Sequence, residues 1–144
     1  MAIKGGLYAQ LLATPAVTAI LAAPQPDTPY TGIYFSVAAK GAPAPYVVMH
    51  VSEAPPAEAS LDGQSELIDG EIQFDSYAAD GVTARKLSRA IRDALKNFSG
   101  ALPDGTTIQF VAVTMDLDDP FEIGGQGYVE RSVLRLKALY TEAA

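Results

Sequence analysis

The chain contains no cysteine and only one histidine, His50. Without cysteine there is no disulfide framework, no thiolate nucleophile and no zinc ribbon, so the fold must be held by packing alone. A lone histidine with no cysteine beside it also lacks the companions that a zinc site requires, and His50 reads as a hydrogen-bonded structural residue. Positive charge is scarce as well. Ten Lys and Arg stand against seventeen Asp and Glu, a net charge of −7, which argues against tight nucleic-acid binding, because that affinity comes from cations neutralising phosphates. No apolar run approaches the ~20 residues of a membrane-spanning helix. Near the N-terminus, Gln10, Thr14, Pro15 and Thr18 interrupt the apolar residues that follow Lys4, so a signal peptide is not expected and cytosolic synthesis is the default.

Familiar catalytic patterns are missing too. No Gly-x-Ser-x-Gly elbow occurs, and Ser88 and Ser132 fall inside predicted elements. Asp116, Asp118, Asp119 and Glu122 form the densest acidic cluster, yet they lack the glycine and the terminal glutamate that an EF-hand spacing requires, and a solvated hairpin tip is the simpler reading. Residues 124–127, Gly-Gly-Gln-Gly, have neither the Lys-Ser/Thr ending nor the following helix of a phosphate loop. The seven tyrosines are scattered and suit a core or an interface better than base stacking. No catalytic, cofactor-binding or metal-binding set is expected.

What is present centres on residues 69–100. Ile72, Phe74 and Ser76 alternate with Glu71, Gln73, Asp75 and Tyr77, the pattern of a half-buried strand. Asp80 is then placed to cap a helix in which Ala84, Leu87, Ala90, Ile91, Ala94, Leu95 and Phe98 make one apolar stripe. Arg85, Lys86, Arg89, Arg92 and Lys96, five of the ten basic residues, occupy the opposite face. Gly100 is expected to end this helix, which would be roughly 24 Å long. A helix of that length is marginal alone and must dock, here on a sheet.

Around this unit, Leu7, Leu11, Leu12, Val17, Ile20 and Leu21 predict a helix that is broken or kinked at Thr14-Pro15. Residues 24–29 are a proline-rich loop. Residues 32–37 predict a short strand, and residues 46–52 a strand with apolar residues on both faces. A short edge strand is expected at Ala59, Ser60 and Leu61. Residues 106–115 predict a long strand whose apolar parity shifts between Ile108 and Val111, which requires either two covered faces or a bulge near Phe110. Residues 128–141 alternate cleanly, with Leu134, Leu136, Ala138 and Tyr140 opposite Arg131, Arg135 and Lys137. With 144 residues, one domain spanning 1–144 is expected. Its class is α+β: a mostly antiparallel sheet of about four to five strands, with an N-terminal helix and one long central helix packed against it.

Several segments together resemble a known family. These are Leu7-Tyr8-Ala9-Gln10-Leu11-Leu12 with Pro15-Ala16-Val17, then Pro45-Tyr46-Val47-Val48, then Gln73-Phe74-Asp75-Ser76-Tyr77-Ala78 leading into an Ala/Arg-rich helix, and finally Asp118-Asp119-Pro120-Phe121-Glu122 with Tyr128-Val129-Glu130-Arg131-Ser132. In this order, over nearly the whole chain, they resemble the tail-completion, or tail-terminator, proteins of long-tailed bacteriophages and prophages. The resemblance implies a non-enzymatic virion protein at the head–tail junction, assembled in the bacterial cytoplasm. Such a protein forms a ring, typically a hexamer, on the tail tube, ends tube polymerisation and meets the head-side connector or stopper. Double-stranded DNA passes through without specific binding, and no membrane or cofactor is involved. On this reading Arg85, Arg89, Arg92 and Lys96 are expected at a subunit interface, and Asp116, Asp118, Asp119, Phe121 and Glu122 in a loop facing the tube or the lumen. The proline-rich segment 24–29 departs from the family pattern. A connector-side stopper or adaptor, or a ligand-binding or enzymatic α+β domain with a pocket beside His50, remain the alternatives.

Overall fold

The computed structural model describes residues 2–22, 31–38, 41–53, 67–122 and 128–141, leaving aside the side chains of residues 2, 119–122, 128 and 129. The expected strand at Ala59, Ser60 and Leu61, the proline-rich loop 24–29 and the glycine-rich tip 124–127 lie outside the described residues.

The chain opens with α1 (Ala2–Leu12) and α2 (Pro15–Thr18), two pieces rather than one helix. The break falls at Thr14, which is extended, and Pro15 begins α2, where its missing N–H costs nothing. Ile3, Leu7, Leu11 and Val17 are buried, so this segment forms part of the core. Next come β1 (Ile33–Phe35), β2 (Tyr46–Glu53), β3 (Ile68–Ala78), α3 (Gly81–Leu95), β4 (Gly100–Ala101), β5 (Thr107–Glu122) and β6 (Tyr128–Thr141).

All six strands form one sheet in the order β1-β2-β3-β6-β5-β4. This exceeds the four to five strands expected; the edge strand β1 falls within the strand expected at residues 32–37, and the addition is the two-residue β4 at the other edge. Pairing is antiparallel throughout except between β1 and β2, which run parallel. The central helix is also shorter than expected. It ends at Leu95; Lys96 leaves helical geometry and Asn97 turns left-handed at φ 59°, so the chain has already turned when Gly100 joins β4. At the other end of α3, the Asp80 carboxylate accepts the Thr83 backbone N–H at 2.7 Å and the Thr83 hydroxyl at 3.0 Å. These two bonds, the backbone one first, hold the Asp80 carboxyl below its ordinary value.

Register assigns the two faces. Val47, Met49, Ile72, Phe74, Leu134, Leu136, Ala138 and Tyr140 share one face and form the core with Leu87, Ile91 and Leu95 of α3 and the buried side chains of α1. The opposite face carries no helix among the described residues. It presents Tyr46, Val48 and His50 of β2, the odd-numbered residues 69–77 of β3, and residues 131–139 of β6 at the same alternation. The parity shift in β5 is resolved by bulges: the register slips between Ile108 and Phe110 and again between Val113 and Met115. Each slip inserts one unpaired residue and reverses which side chains face the helix. As a result Asp116 and Asp118 point to the α3 side, while Leu117 pairs with Val133 on the open side.

Candidate interaction surface

Four of the residues singled out from sequence are brought together as two crosslinks between α3 and β5. Arg85 Nη1 donates to Asp118 Oδ2 at 2.5 Å, and Arg92 Nη1 donates to Asp116 Oδ2 at 2.8 Å. Arginines seven apart lie on one face of a helix about 10 Å from each other, and aspartates two apart lie on one face of a strand about 7 Å from each other, a difference the long arginine side chains span. Asp118 also accepts the Ser132 hydroxyl of β6 at 2.6 Å. That bond, followed by the Arg85 guanidinium, lowers the Asp118 carboxyl from its ordinary value. Arg89 on α3 and Lys96 just after its end are exposed, with no ion pair to a carboxylate among the described residues. Asp119, Phe121 and Glu122 lie on β5 beyond this pair of links, and their side chains fall outside the described residues. The basic helix face and the acidic strand are thus adjacent within one chain, and part of the charge reserved for neighbours is already paired internally.

On the open face, a polar chain crosses three strands. Arg135 reaches Glu71 at 3.1 Å and donates to Gln73 Oε1 at 2.8 Å; Gln73 donates to Asp75 Oδ1 at 2.9 Å; and His50 Nε2 lies 3.3 Å from Asp75 Oδ2. Lys137 pairs with Asp69 at 3.2 Å. His50, expected as a structural residue, thus sits beside a carboxylate with its side chain 43% exposed. Beside it is a surface concavity of about 470 Å³, walled by Val37, Tyr46, Val48, Asp75 and Tyr77. The Tyr46 and Tyr77 rings stack at 5.1 Å, and burial, aided by the neighbouring Tyr77 and Tyr34, raises the Tyr46 hydroxyl. The hollow brings a His–Asp pair together, and Ser36 is also among its lining residues. No group of three or more potential metal ligands occurs among the described residues, and no helix there is long and apolar enough to cross a membrane.

Sequence reasoning missed the exposed apolar side chains near the two edges of the sheet. Phe110, Val113 and Leu117 of β5 are 51%, 39% and 41% exposed, and Phe35 and Val37 at the opposite edge are 38% and 75% exposed. The mixed parity of β5 was the available signal, because a strand that is apolar on both sides at a sheet edge leaves some of those side chains uncovered.

Among curated proteins, none matches this chain. Among solved structures, it is similar to a chain from the virion of a native gene transfer agent particle, at 14% identity and a TM-score of 0.55, covering 95% of this chain and 93% of that one; at that identity the likeness is one of fold. The family described as tail completion protein gp17 matches residues 5–140, all but the extreme ends of the chain. The chain belongs to the tail completion protein gp17 family.

Proposed function

We propose that this protein closes the tail of a phage-like particle as a homo-oligomeric ring, a hexamer in the simplest arrangement, ending tube polymerisation and forming the tail side of the head–tail joint. The observation that carries this reading is the family match over residues 5–140. A non-catalytic role agrees with a surface whose most distinctive features are paired charges and exposed apolar edge residues.

Asp116 and Asp118 are held by Arg92 and Arg85, so on this reading those four residues shape the β5–β6 hairpin. Arg89 and Lys96 remain for an acidic neighbour, while Asp119, Phe121 and Glu122 meet the tube or the lumen. A lumen poor in Lys and Arg lets double-stranded DNA slide without being retained.

The test is to add the purified protein to growing tail tubes and to measure tube length by electron microscopy, with native mass spectrometry of the protein alone and on tubes. Tubes that stop at a bound ring of this protein are the expected result. Unchanged tube growth together with binding to portal rings would assign the protein to the connector side instead.

A further inference from the structure

We infer that neighbouring copies join head to tail through the two opposite edges of the sheet, the β5 edge of one copy against the β1 edge of the next. This rests on the ring reading and specifies its contact surface.

The exposed large apolar side chains are not spread evenly. Six are found among the described residues; three lie on β5 (Phe110, Val113, Leu117), two lie on or just after β1 (Phe35, Val37), and only Val82 lies elsewhere. β5 pairs with β4 only at Thr107 and Ile108, so from Gln109 onward its outer edge has no strand beside it among the described residues. By register Val113 falls on the helix side and Phe110 and Leu117 on the open side, so a neighbour must cover both flanks of this edge. The β1 edge differs in kind. The Thr31 hydroxyl donates to the Ile33 carbonyl at 2.8 Å, and the Val37 N–H donates to the Phe35 carbonyl at 2.7 Å. Backbone groups there are used locally, and the edge offers side chains: Phe35, packed on Tyr8 at 5.7 Å, and Val37.

Charge selects unlike edges over like ones. β5 carries Asp116, Asp118, Asp119 and Glu122 and no Lys or Arg. Residues 2–22 and 31–38, which build the β1 side, carry no carboxylate and one cation, Lys4, whose Nζ lies 5.8 Å from the Phe35 ring centre. Asp116 and Asp118 are already paired with Arg92 and Arg85 of α3 in their own chain, so two β5 edges would bring Asp119 and Glu122 of one copy beside those of the other, whereas β5 against β1 sets the acidic strand beside Lys4. A contact between unlike surfaces repeats from copy to copy and closes into a ring when its rotation allows, which a two-fold contact does not.

Because the chain has no cysteine, introduced thiols report the contact directly. Full-length V37C and V113C, both at exposed positions, are prepared separately, mixed, assembled with or without tail tubes and treated with a short bismaleimide; light scattering of the untreated samples records the ring. Linked dimers from the mixture but from neither variant alone, and a ladder of multimers from the V37C/V113C double variant, are expected. V113E is expected to abolish the ring, and V37K to restore it in the double variant. Linkage within V37C alone or V113C alone would replace this contact with a two-fold one. A ring that forms without any V37C–V113C linkage and tolerates V113E overturns the inference while leaving the ring reading intact. A protein that stays monomeric with and without tubes overturns both.

Discussion

The ring of Tyr140 in β6 lies against the backbone of Gly70 in β3, so close that a Cβ at Gly70 would sit 2.8 Å from Tyr140 Cε1. Tyr140 is fully buried, and its hydroxyl donates to the Glu53 carboxylate of β2. One side chain therefore ties three strands together, and the missing side chain at position 70 makes room for it. Gly70→Ala is expected to cost about 1–3 kcal/mol through overpacking, read as a lower urea midpoint with an unchanged slope.

Two adjacent glycines in α1 are expected to respond with opposite signs. A Cβ at Gly5 would meet nothing within 4 Å, whereas one at Gly6 would overlap the Asp104 carboxylate. Asp104 itself accepts the Thr106 N–H at 3.0 Å and the Thr106 hydroxyl at 3.1 Å. Gly5→Ala should stabilise by about 0.5–1 kcal/mol through helix propensity. Gly6→Ala should lower the melting temperature, because Asp104 must give up its turn to make space.

The α3–β5 links are partly exposed, with side-chain exposures of 50% and 45% for Arg85 and Asp118, and their worth is correspondingly small. A double-mutant cycle on R85A and D118A is expected to give a coupling of about 0.2–1 kcal/mol that shrinks as salt is raised. A coupling that does not respond to salt would contradict this.

The lowered carboxyl of Asp118 sets the direction of the pH dependence. A group whose value is lower in the folded state contributes stability above its unfolded value and loses it as pH falls through the folded one. The stability advantage of wild type over D118N should therefore be constant near neutrality and decline below about pH 4. Urea titrations at pH 7 and at successively more acidic values check this.

Within α3 the apolar stripe predicts a sharp contrast. Leu87 is fully buried against the sheet and Val82 is 66% exposed at the helix start. Leu87→Ala should cost about 2–5 kcal/mol, while Val82→Ala should stay within about 0.5 kcal/mol of wild type.

Local periodicity carried the sequence reading where the physics is local. The alternation of Ile72, Phe74 and Ser76 against Glu71, Gln73 and Asp75 identified β3 and its buried face, and the three- and four-residue steps of Ala84, Leu87, Ile91 and Leu95 identified α3, because side-chain direction follows from backbone geometry alone. Asp80 as the cap and the break at Pro15 were legible for the same reason; the parity shift of β5 was legible too, but it left two covered faces or a bulge open, and the structure has bulges. The helix end was not: Gly100 promised a late stop, but the turn comes at Lys96 and Asn97 so that the chain can return as β4.

Sequence by itself thus determined the helices and the strands β1, β2, β3 and β6, the buried faces of β3, β6 and α3, and the absence of thiol chemistry, but not β4 or the run of β5 through the acidic residues to Glu122. Tertiary structure alone decided the order β1-β2-β3-β6-β5-β4, which inserts β6 between β3 and β5 and leaves β5, beyond its short pairing with β4, with no strand on its outer side among the described residues. It also decided that Arg85 and Arg92 meet Asp118 and Asp116 of their own chain, and that Phe35 and Val37 lie at the edge opposite Phe110, Val113 and Leu117. These are contacts between residues far apart in sequence, fixed by which strand pairs with which, and no periodicity within a single element records that choice.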